Sequence, residues 1–120
     1  MKKNRTVRHL RDIEKSAVLR LLEPDIPLKR KILQQLEGAK VRPVNSDESI
    51  IEFILKDYWR PTDIGQQVWP VEGVIRKPND ETVFVLLFLD PYDHLFELEF
   101  YGFENFDVTK SDIAAMKLIY

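Results

Sequence analysis

The stretch TVFVLLFLDPYDHLFELEFYG, residues 82–102, decides how the chain folds. Its first half is an apolar run, which is typical of a central strand covered on both faces. DPYDH follows, and Asp before Pro starts a type I turn, while Asp93 or His94 tolerates a left-handed backbone. The second half alternates between two faces, as a half-buried strand does. We therefore predict a hairpin whose second strand sends these residues into the core: Phe96, Leu98 and Phe100.

Two helices are predicted before the strands. RDIEKSAVLRLLE, residues 11–23, has apolar residues at three- and four-residue spacing, and Pro24 ends the pattern. PLKRKILQQLEG, residues 27–38, has Pro27 in its first turn and Gly38 just after its end. The link between them is short, so the helices are expected to pack as an antiparallel or angled pair.

From Lys40 onward the apolar period changes to that of strands joined by short turns, which indicates antiparallel pairing. VWPVEGVIRK, residues 68–77, is interrupted by Pro70 and Gly73 and is predicted to be an edge or bulged strand. TKSDIAAMKLIY, residues 109–120, is predicted to be a closing helix. The fold class is therefore α+β: an N-terminal helix pair on a four- to five-stranded antiparallel sheet, with a short C-terminal helix. One domain, 1–120, is expected, divided into a helical pair (1–38), the sheet (39–103) and a C-terminal segment (104–120).

Composition narrows the function classes. The 120 residues contain no cysteine, which excludes disulfides, thiolate metal sites and a cysteine nucleophile. The acidic residues do not have the spacing of a calcium loop or a zinc motif, and only His9 and His94 could supply histidine chemistry. No apolar run is long enough for a signal peptide or a membrane helix. We therefore expect a cytoplasmic protein with no cofactor, no bound metal and no membrane partner.

Charge is divided unevenly along the chain, although the net charge is only −2. Residues 1–42 contain twelve Lys or Arg and five Asp or Glu, which gives +7. Residues 43–120 contain six Lys or Arg and fifteen Asp or Glu, which gives −9. A division this large favours association through one of the two halves, with a different partner or between copies in a homodimer.

The acidic half supplies the first candidate site, a surface that a protein partner would contact. The same acids are also explained as the solvated side of an alternating strand, and the turn by its backbone alone. Tyr58, Trp59 and Arg60 lie in a predicted loop and combine aromatic rings with a guanidinium, which is typical of interface hot spots. Packing of Trp59 and Trp69 over the end of the sheet is the structural alternative. The candidate acidic residues are Asp90, Asp93, Glu97, Glu99, Glu104 and Asp107.

The basic half supplies a second candidate, a patch that would contact phosphates. A helix-turn-helix would use LKRKILQQLEG as its recognition helix, but the link contains two prolines and no third helix follows. A solvated helix face and a frayed terminus explain the same charges. The candidate residues are Arg8, Arg11, Lys29, Arg30 and Lys31, preceded by Lys2, Lys3 and Arg5.

The chain resembles a small bacterial family of unknown function. The similarity covers most of the chain and rests on a basic start, a helix containing IEKSAVLRLL, a second helix ending in LEGAKVRPV, and a late LFELEF strand after an acidic turn. Members tend to have a glycine turn before that strand, where this chain has DPYDH. The resemblance implies an immunity-like or accessory protein of a bacterial toxin system, and it transfers no catalytic residues.

Three functions follow from these observations. The first is a non-enzymatic, immunity-like binding protein that occludes its partner with an acidic sheet surface. The second is a nucleic-acid-associated protein that uses the basic helix pair. The third is an enzyme that uses the carboxylates between Asp90 and Glu99, which would require a concave site around them.

Overall fold

The computed structural model describes residues 6–102 and 107–120 of the chain. Over these residues the chain forms two α-helices and one antiparallel sheet of eight strands. The α+β class is confirmed, and the sheet has more strands than the four to five predicted. The helices are α1 (Asp12–Leu21) and α2 (Lys29–Glu37), and the strands are β1 (Arg8–His9), β2 (Lys40–Pro43), β3 (Ile50–Ile54), β4 (Gln67–Val68), β5 (Glu72–Arg76), β6 (Thr82–Leu89), β7 (Leu95–Tyr101) and β8 (Lys117–Ile119).

The hairpin of residues 82–102 forms the centre of the sheet. The strand order is β1-β2-β3-β7-β6-β5-β8, and all the neighbours are antiparallel. β4 also pairs with β6, because Pro70 interrupts what would otherwise be one strand with β5. The backbone N–H of Trp69 still donates to the Leu87 carbonyl at 2.7 Å. No helix in the described part of the chain is long and apolar enough to cross a membrane.

The helices cover one face of this sheet. On β6 every second side chain is buried, and these pack into one core with Ala17, Val18 and Leu21 of α1 and with Ile32 of α2. The alternate side chains of β6 are only half-buried, so the prediction that this strand is covered on both faces is wrong. We call the second side of the sheet the open face, and its central residues are Ile50, Glu52, Ile54, Val74, Phe84, Leu86, Phe88, Glu97 and Glu99.

A β-bulge changes the predicted facing of β7 at its start. Glu97 pairs with Phe88 but Leu95 pairs with Leu89, so Phe96 is the extra residue. Leu95 is consequently buried and Phe96 half-exposed, the reverse of the prediction from strict alternation. Beyond the bulge the pattern holds, and Leu98 and Phe100 are buried as predicted.

The second helix begins two residues later than predicted. Pro27 lies in a turn in which the Lys29 N–H donates to the Ile26 carbonyl at 3.1 Å. Leu28 then adopts a φ of 78°, a left-handed conformation that is costly for a leucine, and helical geometry starts at Lys29. Gly38 follows the helix end, as predicted.

The predicted C-terminal helix is absent from the described residues 107–120. This segment forms two 3-10 turns, Val108–Lys110 and Ile113–Ala115, followed by β8. Asp107 and Asp112 each cap a turn by accepting from the backbone N–H of Thr109 and Ala115. Pairing β8 with β5 closes an otherwise unpaired sheet edge, which outweighs a weak local helix preference.

Gly73 leaves room on β5 for the side chain of Met116, the residue directly before β8. β5 lies between β6 and β8, so of the two predicted alternatives, an edge strand or a bulged strand, the edge strand is wrong. A Cβ at Gly73 would overlap the buried thioether of Met116. We expect Gly73→Ala to lower the free energy of unfolding by about 1–3 kcal/mol, the usual cost of overpacking a core.

The control is Gly65→Ala, because a Cβ there meets nothing within 4 Å. Chemical denaturation of both variants measures the difference. Equal stabilities of the two variants would show that Met116 moves aside without cost.

Candidate functional site

The turn that joins β6 to β7 has the predicted geometry. The Asp93 N–H donates to the Asp90 carbonyl at 3.0 Å, the Asp90 N–H donates to the His94 carbonyl at 2.9 Å, and Asp93 has a φ of 66°. The Lys77–Glu81 turn repeats these features, with Pro at the same position and Asp80 at φ 66°. Since lysine occupies the first position of that second turn, the backbone geometry does not require a carboxylate at Asp90.

The Asp90 carboxylate is fully buried and joins two parts of the chain. Its Oδ1 accepts from the backbone N–H groups of Tyr92, at 2.9 Å, and His94, at 3.1 Å. Its Oδ2 accepts from the Tyr58 hydroxyl at 2.6 Å and from Arg60 Nε at 3.3 Å. Burial opposes ionisation, but hydrogen bonds from Tyr58, from the two backbone groups and from Arg60 outweigh it and lower the pKa of Asp90.

Arg60 extends this cluster onto the open face. Its Nη1 donates to Glu52 at 3.1 Å and its Nη2 to the Leu95 carbonyl at 2.5 Å. Its guanidinium carbon lies 4.0 Å from the centre of the Phe96 ring, the residue that the bulge turns outward. The buried Asp90 therefore holds a cation that also contacts Glu52 of the open face.

Tyr58 extends the same cluster towards α2. Its ring stacks on His94, with 3.7 Å between ring centres, and burial together with the Asp90 hydrogen bond raises the pKa of Tyr58 to about 12. Beside the two rings is a cleft of about 480 Å³ that Lys31 and Lys56 also line. Gln35 of α2 joins the helix to the turn between β6 and β7, because its side-chain amide donates to the Asp93 carbonyl and accepts from the Leu95 N–H.

The acids of the open face lie in one group. Glu97 faces Glu52 on one neighbouring strand, and Glu99 faces Ile50. Glu52 is paired with Arg42, at 3.0 Å, and with Arg60, whereas neither Glu97 nor Glu99 forms an ion pair within the described residues. Partial burial and the charges of Glu52 and Glu99 raise the pKa of Glu97, although Gln66 donates to it at 2.9 Å.

Glu97 is therefore expected to reduce stability at neutral pH. Its charged form is disfavoured in the folded protein, so the folded state binds its proton at a higher pH than the unfolded state does. Stability then falls as the pH rises through this interval. We expect Glu97→Gln, which keeps an acceptor for Gln66, to raise the free energy of unfolding at pH 7 by up to about 1 kcal/mol.

Urea denaturation at two pH values tests this expectation. The gain should vanish near pH 3.5, where Glu97 is protonated in both states. Glu37→Gln, at an exposed position of α2, is the control and should change little at either pH. A Glu97→Gln variant that is less stable at pH 7 would contradict the assignment.

The two tryptophans have opposite environments. Trp69 is 3% exposed, and its Nε1 donates to the Leu21 carbonyl at 3.0 Å, so the structural alternative of packing holds for Trp69 and is wrong for Trp59. Trp59 is 93% exposed. Only Trp59 is therefore available to a partner.

The predicted surface residues have different environments in the structure. Asp90 is inside the protein, Asp93 is in the turn, and Asp107 caps a 3-10 turn. Glu97 and Glu99 lie on the open face, Trp59 is exposed, Tyr58 is half-buried and the side chain of Arg60 is only 9% exposed. Glu104 lies outside the described residues. Glu97 and Glu99 lie on the open face, and Glu99 also lines a cleft of about 290 Å³ together with Asp47 and Ser49.

The basic candidates are only partly available. Arg8 forms a two-pronged ion pair with Glu14, at 2.8 and 2.9 Å, and also contacts Glu48. Arg11 pairs with Glu48 at 3.2 Å. Lys29 donates to the Glu23 carbonyl, and Arg30 and Lys31 are exposed. Lys2, Lys3 and Arg5 lie outside the described residues.

Sequence reasoning did not find the partners of Arg8, Arg60 or Gln35. These contacts join residues 6 to 60 positions apart and follow no local spacing. The available signal was Asp90 itself, since a carboxylate directly after a buried strand needs a partner. Within the described residues no group of three or more histidine or acidic side chains could hold a metal ion.

A scan against protein-family models finds no match to this chain, and searches of curated proteins and of solved structures find none either.

Proposed function

We propose that the chain is a bacterial, cytoplasmic, non-enzymatic protein-binding module of immunity type, which occludes a basic partner with its open face. The observation that carries the proposal is the pair Glu97 and Glu99, two acids that form no ion pair within residues 6–102 and 107–120 and that lie on a sheet face with half-exposed aromatic and aliphatic side chains. A face of this composition gains from a partner that supplies both apolar contact and positive charge.

The energetics of Glu97 support a binding role. A carboxylate whose pKa is raised by burial and by two like charges is a cost to the isolated protein. A lysine or arginine of a partner would remove that cost on binding, because it would favour the charged form. Residues that lower stability in the free protein are common at functional sites.

Affinity capture with a matched pair of charge variants tests the proposal. The tagged protein is used to capture partners from lysate of its native host at low and at high salt. Glu97→Lys/Glu99→Lys should abolish capture of the specific partner. Asp25→Lys/Glu37→Lys changes the net charge equally at exposed helix-side positions and should leave capture intact. Capture that both double variants retain, or both lose, would reject the open face as the binding surface.

Nucleic-acid binding is the alternative, and Lys29, Arg30 and Lys31 of α2 support it. Arg30 and Lys31 are exposed, whereas Arg8 and Arg11 already have acidic partners. A gel-shift titration at low salt distinguishes the two functions. A complex that weakens steeply with salt and that is lost in Arg30→Glu/Lys31→Glu would favour this alternative.

A further inference from the structure

Trp59 combines full exposure with rigid attachment. Its side chain is 93% exposed, yet both sequence neighbours are fixed. Tyr58 is held by its 2.6 Å hydrogen bond to Asp90 and by the stack on His94, and Arg60 is held by Asp90, Glu52 and the Leu95 carbonyl. The backbone on each side of the indole is thus tied to one buried carboxylate.

This arrangement lowers the entropy lost on binding. A loop side chain normally loses conformational freedom when a partner immobilises it, and a backbone that is already fixed reduces that loss. Tryptophan also supplies a large contact area with only two side-chain torsions. Neither property stabilises the free protein, since the indole of Trp59 packs against almost nothing in it.

Trp59 is continuous with the open face. It lines a cleft of about 490 Å³ together with Arg42, Glu52 and Ile54, and the last two are residues of the open face. Arg60, its next neighbour, contacts Glu52 and Phe96 on that side of the sheet. Glu52 therefore links the two, because it lines the cleft beside Trp59 and is the cross-strand neighbour of Glu97.

We propose that Trp59 is the anchor of the partner surface, that Asp90 is its positioning residue, and that the occupant is a folded protein with an apolar pocket rimmed by lysine or arginine. This inference rests on the proposed function. The pocket receives the indole, and the basic rim meets Glu97 and Glu99. A second copy of the chain fits less well, because face-to-face pairing would bring together two sets of the same acids.

The first test uses the free protein and one fluorophore. In a Trp69→Phe background Trp59 is the remaining tryptophan. Acrylamide should quench its fluorescence almost as efficiently as that of free tryptophan, and the fast component of its anisotropy decay should be limited to rotation of the indole about its two side-chain torsions. Asp90→Asn should enlarge the fast component by adding motion of the backbone, without changing quenching. Equal fast components with and without Asp90→Asn would overturn the positioning role.

The second test locates the partner. A photo-crosslinking phenylalanine analogue replaces Trp59 in the native host, and the control position is Leu19, which is also exposed but lies on α1. We expect an adduct with a second protein from position 59 alone, reduced at least about tenfold by Glu97→Lys/Glu99→Lys. An adduct with a second copy of the chain, or equal adducts from both positions, would overturn the inference.

Affinity measurements separate this inference from the proposed function. With the captured partner purified, Trp59→Ala should weaken binding at least about thirtyfold, as truncation of an interface hot spot does, while Trp59→Phe weakens it less. If Trp59→Ala leaves affinity unchanged while Glu97→Lys/Glu99→Lys abolishes it, the anchor is wrong and the acidic surface stands. If neither change matters, both proposals are wrong.

Discussion

Replacing Asp90 with alanine is expected to lower the free energy of unfolding by about 3–5 kcal/mol, the usual cost of removing one partner from a buried charged pair. The change removes the acceptor of two backbone N–H groups, the Tyr58 hydroxyl and Arg60 Nε at once. Arg60 keeps its ion pair with Glu52, so we expect a loss towards the lower end of that range. Urea denaturation monitored by circular dichroism measures the free energy of unfolding.

The control for Asp90→Ala is Lys77→Ala, at the same position of the second hairpin turn. We expect Lys77→Ala to change the free energy of unfolding by about 1 kcal/mol or less. The two turns share backbone geometry, but the side chain at position 77 is a half-buried lysine, whereas the side chain at position 90 is a buried carboxylate. Similar losses at both positions would mean that Asp90 acts only through the turn.

The contribution of Asp90 also has a predictable pH dependence. Its folded pKa is lowered, so its stabilisation is fully present above the unfolded pKa of about 3.9 and is lost as the pH falls through the lower folded value. The stability difference between the parent and Asp90→Asn should thus be constant from about pH 5 to 8 and should shrink below about pH 4. A difference that grows towards pH 3 would contradict the assignment.

Arg8→Met is expected to lower the free energy of unfolding by about 3 kcal/mol. Glu14 is only 1% exposed, and the change removes its two-pronged guanidinium partner while the Arg11 N–H remains. Methionine keeps much of the apolar stem of Arg8, so the loss reports mainly the uncompensated carboxylate.

Two further variants isolate the charge effect at Arg8. Arg42→Met breaks a more exposed ion pair and should cost less than about 1 kcal/mol. Adding Glu14→Met to Arg8→Met should restore part of the lost stability, because no buried charge is then left alone. A double variant less stable than Arg8→Met would show that Glu14 stabilises the fold chiefly by capping α1.

Local patterns predicted the elements that depend on neighbouring residues. The central hairpin, a left-handed residue at Asp93 or His94 and both helices follow from spacing and turn chemistry, and the structure has them, with Asp93 as the left-handed residue. The C-terminal helix was wrong because Ile113 and Met116, three residues apart, fit a 3-10 turn as well as an α-helix. β1 was missed because a two-residue strand has no periodicity to detect, and β4 was predicted only as part of the interrupted strand 68–77.

The candidate site was predictable only in part. Alternation placed Glu97 and Glu99 on one outward side, and Trp59 was identified as an exposed aromatic candidate. The role of Asp90 depends on Tyr58 and Arg60, which lie 32 and 30 positions earlier in the chain. No sequence spacing specifies contacts over such separations. The bulge at Phe96, which gives Arg60 a ring to lie on, likewise depends on the pairing register with β6.

The most direct measurement of the central claim is the association rate of the captured and purified partner as a function of ionic strength. If the acidic open face steers and holds a basic partner, Glu97→Lys/Glu99→Lys should slow association at low salt by at least about tenfold. The same variant should lose most of the salt dependence, while Asp25→Lys/Glu37→Lys should retain both the rate and its salt dependence. Equal rates for the parent and Glu97→Lys/Glu99→Lys at every salt concentration would contradict the account.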